Sequence, residues 1–124
     1  MWIASPVAAD IAGINPDNDD VVESDGQITR VIGSFACTAD ETGNRFRVAL
    51  TLTQGGTRAR GQATGTCNGN NFQQYTAFLT TDNGGPLVAG SANLTARGQI
   101  NETRDPATPN DRLSASETVQ VVIP

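Results

Sequence analysis

The amino-acid sequence predicts an all-β fold, namely an antiparallel immunoglobulin-like β-sandwich of six or seven strands. Three observations carry this prediction. The chain is rich in Thr, Gly, Asn, Ser and Gln, its apolar residues alternate with polar ones, and Gly- and Asn-containing turns separate the alternating runs. Aromatic residues make up only 5% of the chain, so the core has to be built largely from Val, Ile, Leu and Ala. A small closed barrel is the alternative architecture.

The N-terminal part of the chain differs in composition from the rest. We divide the 124 residues into an arm with an acidic loop, residues 1–26, and a single sandwich domain, residues 27–124. The apolar residues of the arm either pack back as the first strand of the same sandwich or dock on a neighbouring subunit as a donated strand. These assembly-arm residues are Trp2, Ile3, Val7, Ile11 and Ile14.

The stretch "SPVAAD" near the start resembles the small-residue end of an export signal. We therefore expect an extracellular or cell-surface protein in which Met1 was added, or retained after removal of such a signal. The alternative is the native start of a chain that is not exported.

The acidic loop contains several carboxylates close together in the sequence, as calcium sites do, because hard cations bind several oxygen ligands supplied by one flexible loop. Its spacing departs from the D-x-D-x-D-G-x5-E pattern, and the expected state is a solvated acidic loop without metal or cofactor. The calcium candidates, if the loop does bind, are Asp17, Asp19, Asp20, Glu23 and Asp25.

Six runs downstream of the loop have the character of strands. The clearest is "RFRVALTLT", which directs Phe46, Val48, Leu50 and Leu52 to one face and polar residues to the other. The predicted strands span residues 27–38, 45–53, 58–67, 72–80, 87–100 and 113–124.

The third of these strands, "RARGQATGTC", gives one face to small residues and ends it on a cysteine. Cys37 and Cys67 are predicted to form a disulfide, as in other small exported domains, rather than to remain as two free thiols. Metal binding is less favoured, because two thiols without any His supply at best half of a structural zinc site. A plain three-strand meander would hold them about 9.5 Å apart, whereas bonded cysteines have Cα atoms about 4.4 to 6.8 Å apart. The small residues are therefore interpreted as a close approach to an opposing layer of a sandwich.

The charge balance excludes several functions. The chain has eight Arg, neither Lys nor His, and a net charge of −5, which disfavours binding to nucleic acid or anionic membranes. The usual bases that activate Ser or Cys are absent, and the carboxylates fall mostly in turns, so we expect no enzyme activity. The outward rows of the strands at 45–53 and 58–67 form a polar face that lacks the stacking aromatics of glycan sites.

One set of short motifs resembles a known family. It comprises Gly33-Ser34-Phe35-x-Cys37-Thr38, then Gln54, then Gly61 ahead of Cys67-x-Gly69, then Gly90-Ser91-Ala92. This pattern is similar to that of small secreted actinobacterial two-cysteine domains of unknown function, over residues 25 to 100. The resemblance implies a secreted β-sandwich and brings no activity or functional residues with it.

These observations together predict a non-catalytic secreted or cell-surface interaction module. The alternative is a self-assembling structural subunit, such as a surface filament or virion decoration protein, that donates its apolar arm as a strand. A protein partner or self-association is expected. Glycan binding is possible but unsupported by the sequence, and neither nucleic acid nor membrane insertion is expected.

Overall fold

Alternation of inward and outward residues runs through most of the eight strands in the described part of the chain. The computed structural model describes residues 11–37, 42–68, 72–101 and 111–124. The strands are β1 Ile11–Asn15, β2 Val21–Ser24, β3 Ile28–Cys37, β4 Arg45–Gln54, β5 Thr57–Thr66, β6 Phe72–Asn83, β7 Gly90–Asn101 and β8 Asp111–Val122.

The strands close into a barrel, and the predicted immunoglobulin-like sandwich is wrong. Around the barrel the order is β3, β2, β8, β7, β4, β5, β6, and β6 pairs back with β3 from Ile28↔Thr80 to Ala36↔Phe72. Because this last pairing joins what would be the two edges of an open sheet, two separate layers do not exist. The sheet is also mixed, since β2 runs parallel to β8 while the other pairs are antiparallel.

The first two strands share one of the seven positions in this barrel. β1 pairs with the C-terminal half of β3 and β2 with its N-terminal half, so the two lie end to end beside the same neighbour. Residues 16–20 interrupt them, and the backbone N–H of Asn18 donates to the carbonyl of Ile32 across the break, at 3.0 Å. Part of the region predicted as an arm and acidic loop therefore contributes strands to the barrel wall.

The predicted disulfide between Cys37 and Cys67 is confirmed, with Cα atoms 5.7 Å apart. Cys37 ends β3 and Cys67 follows β5, so the two residues flank β6. Among the described residues the β5–β6 pairing covers only Arg58 to Arg60. Because β5 and β6 keep regular register only over this stretch, the end of β5 can lean toward β3 beyond the start of β6 and bring the sulfurs together.

Glycines of β5 and β7 make room for aromatic rings inside a narrow barrel. Phe35 and Phe46 stack inside it with ring centroids 4.5 Å apart. A Cβ atom on Gly65 would lie 2.6 Å from the ring of Phe46, and one on Gly98 would lie 2.5 Å from the ring of Phe35. Burying each ring stabilises the fold by about 1.5 to 3 kcal/mol, and only glycine at these two positions leaves the space for it.

Candidate functional site

Six of the eight arginines lie on the outward side of four adjacent strands, β5, β4, β7 and β8. Alternation in each strand sends the apolar residues inward and leaves the intervening positions in solvent. We call this surface the arginine face. Its arginines are Arg45, Arg47, Arg58, Arg60, Arg97 and Arg112.

Strand register fixes how these side chains are arranged. Arg47 lies opposite Gln99, which in turn lies opposite Arg112 on β8. One row further along, Arg97 lies opposite Ala49, the smallest outward residue of β4. The arginines therefore surround a low point in the sheet surface.

Two adjoining depressions form a groove around this low point, with volumes of about 410 and 490 Å³. Both are lined by Ala49 and Arg97, which lie between them. Arg58 and Arg60 line the first depression, and Arg47 and Arg112 line the second. The remaining lining residues are Leu50, Thr51, Gly61 and Thr95 in the first and Gly98, Gln99 and Ser114 in the second.

The positive charge of the groove is only partly compensated. Asp82 accepts from Arg58 Nε at 3.0 Å and from Arg60 Nε at 2.5 Å. The hydrogen bond from the Arg58 guanidinium, together with that from Arg60, lowers the pKa of Asp82 below its usual value. Within the part of the chain that the structure describes, no acidic side chain pairs with the remaining arginines of the face. Among its described residues, this acidic protein thus presents a distinctly cationic surface.

A cluster of carboxylates lies at the break between β1 and β2. Asp17 is only 2% exposed, and its Oδ1 accepts from the backbone N–H groups of Asp19 at 3.0 Å and Val21 at 3.3 Å. Its own backbone N–H donates to Glu117 Oε1 on β8, at 2.8 Å. Asp17 Oδ2 is buried and accepts no hydrogen bond among the described residues. The side chain therefore shapes the loop while keeping one oxygen unpaired.

These carboxyl groups hold protons more tightly than usual. Burial, together with the neighbouring carboxyl of Asp19, raises the pKa of Asp17 to about 6. Burial and the carboxyl of Asp20 raise the pKa of Glu117 to about 7. Tyr75 donates to the carbonyl of Pro16 at 3.1 Å, and its pKa is raised by burial and by the nearby carboxylates. The cluster ties the broken strand to β6 and β8.

The five calcium candidates do not occupy one place. Asp17, Asp19 and Asp20 belong to the break in the strand, whereas Glu23 forms an ion pair with Arg30. Asp25 caps the following turn, since its Oδ1 accepts from the backbone N–H of Gln27 and of Ile28 and these bonds lower its pKa. In the described ranges, no three acidic, Cys or His side chains are grouped so as to hold a metal ion.

The assembly-arm residues are divided between two regions. Ile11 and Ile14 belong to β1, which pairs with β3 of the same chain, and Ile14 packs against the core. Trp2, Ile3 and Val7 lie outside the described residues.

Sequence reasoning found part of the arginine face and missed the rest. The rows of β4 and β5 were expected to form one polar surface, and the structure pairs them from Arg45↔Thr66 to Gln54↔Thr57. Arg97 was readable as an outward residue, but nothing in the sequence placed β7 beside β4. The same holds for Glu117, which meets Asp17 across 100 residues of chain.

Comparison of the chain with protein-family models, with curated proteins and with solved structures finds no match. The resemblance to secreted two-cysteine domains therefore stays a prediction from the sequence. The disulfide is compatible with an extracellular location. No helix in the described ranges is long and apolar enough to cross a membrane.

Proposed function

We propose that the protein is a non-catalytic secreted or cell-surface interaction module that binds an anionic partner through the arginine face. The observation that carries the proposal is the groove around Ala49, in which Arg97, Arg47 and Arg112 have no acidic partner among the described residues. A protein with a net charge of −5 gains nothing in solubility from concentrating its cations on one surface.

The chemistry of arginine supports an anion as the partner. The guanidinium is always charged, and its planar fork of N–H donors matches the two oxygens of a carboxylate, sulfate or phosphate. β4 and β7, which carry Arg47 and Arg97, are paired along both edges, so the spacing of these two side chains is set before a ligand arrives. A preformed surface loses less conformational entropy on binding than a flexible loop does.

The experiment compares single arginine removals on opposite sides of the barrel. Arg97→Ala removes the charge at the centre of the groove, and Arg30→Ala is the matched control, because Arg30 is exposed on β3 and pairs with Glu23. Binding to heparin, hyaluronan, polyglutamate and neutral dextran is measured by isothermal titration calorimetry at 20 and 500 mM NaCl.

The proposal predicts that at least one anionic probe binds at low salt, that dextran does not, and that high salt weakens binding. Arg97→Ala weakens it tenfold or more, since a hydrogen bond to a charged group contributes about 1.5 to 3 kcal/mol. The proposal fails if no anionic probe binds, or if Arg30→Ala weakens binding as much as Arg97→Ala.

Self-assembly as a structural subunit is the second candidate function, and one observation favours it. β3 and β6 expose Phe78 to 61% and Ile28 to 43%, beside a depression of about 220 Å³ that Pro124 also lines. Exposed apolar groups that lie together are typical of contact surfaces. Sedimentation velocity tests this function. If the protein assembles and Phe78→Ser abolishes the assembly, the function is supported; if the protein is a monomer at every concentration, it is excluded.

A further inference from the structure

Resting on the proposed function, we propose that the groove binds a linear polysaccharide that carries a carboxylate on every second sugar. Two features of the arginine face favour this class of anion, namely the polar lining and the spacing of the charges, while the lack of aromatic side chains disfavours single-stranded nucleic acid.

The lining suits a hydrated, hydroxyl-rich ligand. Between the arginines lie the hydroxyl groups of Thr51 and Ser114, which can donate to or accept from sugar hydroxyls. Thr95 and Gln99 add polar atoms that already bond to Ser116 and to Arg47. The exposed apolar side chain among them is the single methyl group of Ala49. Protein partners normally place an apolar or aromatic anchor at the centre of an interface, and this groove has no pocket for one.

The spacing of the arginines suits a chain whose charges are far apart. Arg112, Arg97 and Arg60 run diagonally across β8, β7, β4 and β5. Strands lie about 4.8 Å apart and same-face residues about 6.8 Å apart. The Cα of Arg112 is therefore about 8 Å from that of Arg97, and the Cα of Arg97 is about 12 Å from that of Arg60. This is the length scale of a disaccharide, so a carboxylate on alternate sugars reaches successive arginines.

Nucleic acid fits the same surface less well. Duplex DNA carries one charge for about every 3.4 Å of each strand, a far denser array than the arginines provide. Single strands are normally held by bases stacking on aromatic rings, and no aromatic side chain lines the groove. The net charge of −5 repels duplex and single-stranded nucleic acid, and it repels a sparsely charged polysaccharide less strongly than either.

The decisive experiment uses one polymer in two charge states. Hyaluronan oligosaccharides carry a carboxylate on alternate sugars, and the same oligosaccharides with those carboxylates converted to amides keep the length and hydroxyls without the charge. Dissociation constants are measured by isothermal titration calorimetry for the wild type, Arg97→Gln and Arg30→Gln, with heparin and duplex DNA as competing anions. Sedimentation velocity of the free protein runs alongside.

The proposal predicts that hyaluronan binds more tightly than heparin or DNA and that amidation weakens binding tenfold or more. Arg97→Gln reproduces that loss and Arg30→Gln does not. If heparin or DNA binds more tightly than hyaluronan through Arg97, the polysaccharide assignment fails while the proposed function stands. If the protein instead associates with itself at low salt and Arg97→Gln abolishes that association, a second copy is the anionic partner and the assignment again fails. If no probe binds and the protein does not associate with itself, both the proposed function and the polysaccharide assignment are refuted.

Discussion

A single added methyl group on β5 tests the closure of the barrel. A Cβ atom on Gly61 would lie 2.2 Å from the carbonyl oxygen of Phe78 and 3.0 Å from Cα of Leu79, both backbone atoms of β6. The strands would have to separate by about 1 Å to restore ordinary contact, but β6 is held on its other edge by β3 from Ile28↔Thr80 to Ala36↔Phe72. Gly61→Ala therefore overpacks a site that cannot relax.

We expect overpacking in Gly61→Ala to cost about 3 kcal/mol of the free energy of unfolding, at the upper end of overpacking effects. The loss of glycine from the unfolded chain offsets about 0.4 to 1 kcal/mol of that cost. In a domain of this size the net effect lowers Tm by about 10 °C. Urea and thermal unfolding followed by circular dichroism measure both quantities.

Gly56→Ala is the matched control, because a Cβ atom there has no described neighbour within 4 Å. It is expected to leave the free energy of unfolding within about 0.5 kcal/mol of the wild type, as surface substitutions usually do. A Gly61→Ala variant as stable as this control would show that β5 and β6 do not approach each other as described, and the closed barrel would be refuted.

Three further predictions concern the disulfide and the carboxylate cluster. Cys37→Ser with Cys67→Ser opens a loop closed over 30 residues and should lower the free energy of unfolding by about 3 to 4 kcal/mol in urea; an unchanged midpoint would contradict this. The raised pKa values of Asp17 and Glu117, about 6 and 7, mean that the folded state binds protons that the unfolded state releases. Stability should therefore rise by about 2 to 4 kcal/mol as the pH falls from 8 to 5, and a Tm that falls as the pH falls from 8 to 5 would refute this. Asp17→Asn keeps Oδ1 and supplies an N–H donor beside the carboxyl of Asp19, so it should raise Tm at pH 8 and flatten the pH profile, whereas a lower Tm at pH 8 would contradict the unpaired oxygen.

The strands were predictable because each carries its own alternation. The run at residues 45–53 became Arg45–Gln54, and its four apolar residues are buried as expected. The failures lie where a run was extended past its strand: Val88 precedes β7 and is 59% exposed, and Ile123 follows β8 and is 42% exposed. Alternation predicts which face of a strand a residue lies on, but it does not predict where the pairing between strands ends.

The architecture was not predictable because it depends on pairings between distant segments. Turns such as "QGGT" indicate the β4–β5 hairpin, but β3–β6, β4–β7 and β2–β8 join residues far apart in the chain. The cysteine argument correctly required β3 and the end of β5 to approach each other. It assigned that approach to two layers, whereas a closed barrel with a short β5–β6 pairing achieves it.

The same distinction explains what could be foreseen of the candidate site. The outward arginines of β4 and β5 were visible as one face, since a tight turn joins the two strands. Arg97 and Arg112 complete the groove only because β7 lies between β4 and β8. The concentration of charge is thus a property of the barrel order and not of any one segment.

Mapping by nuclear magnetic resonance tests the central claim most directly. Backbone amide shifts of isotope-labelled protein are followed while hyaluronan oligosaccharides are added at low salt. Binding through the arginine face predicts that the changes concentrate on Arg47, Ala49, Arg60, Arg97 and Ser114 and their strand neighbours. Changes confined to β2, β3 and β6, or no change at saturating oligosaccharide, would contradict it.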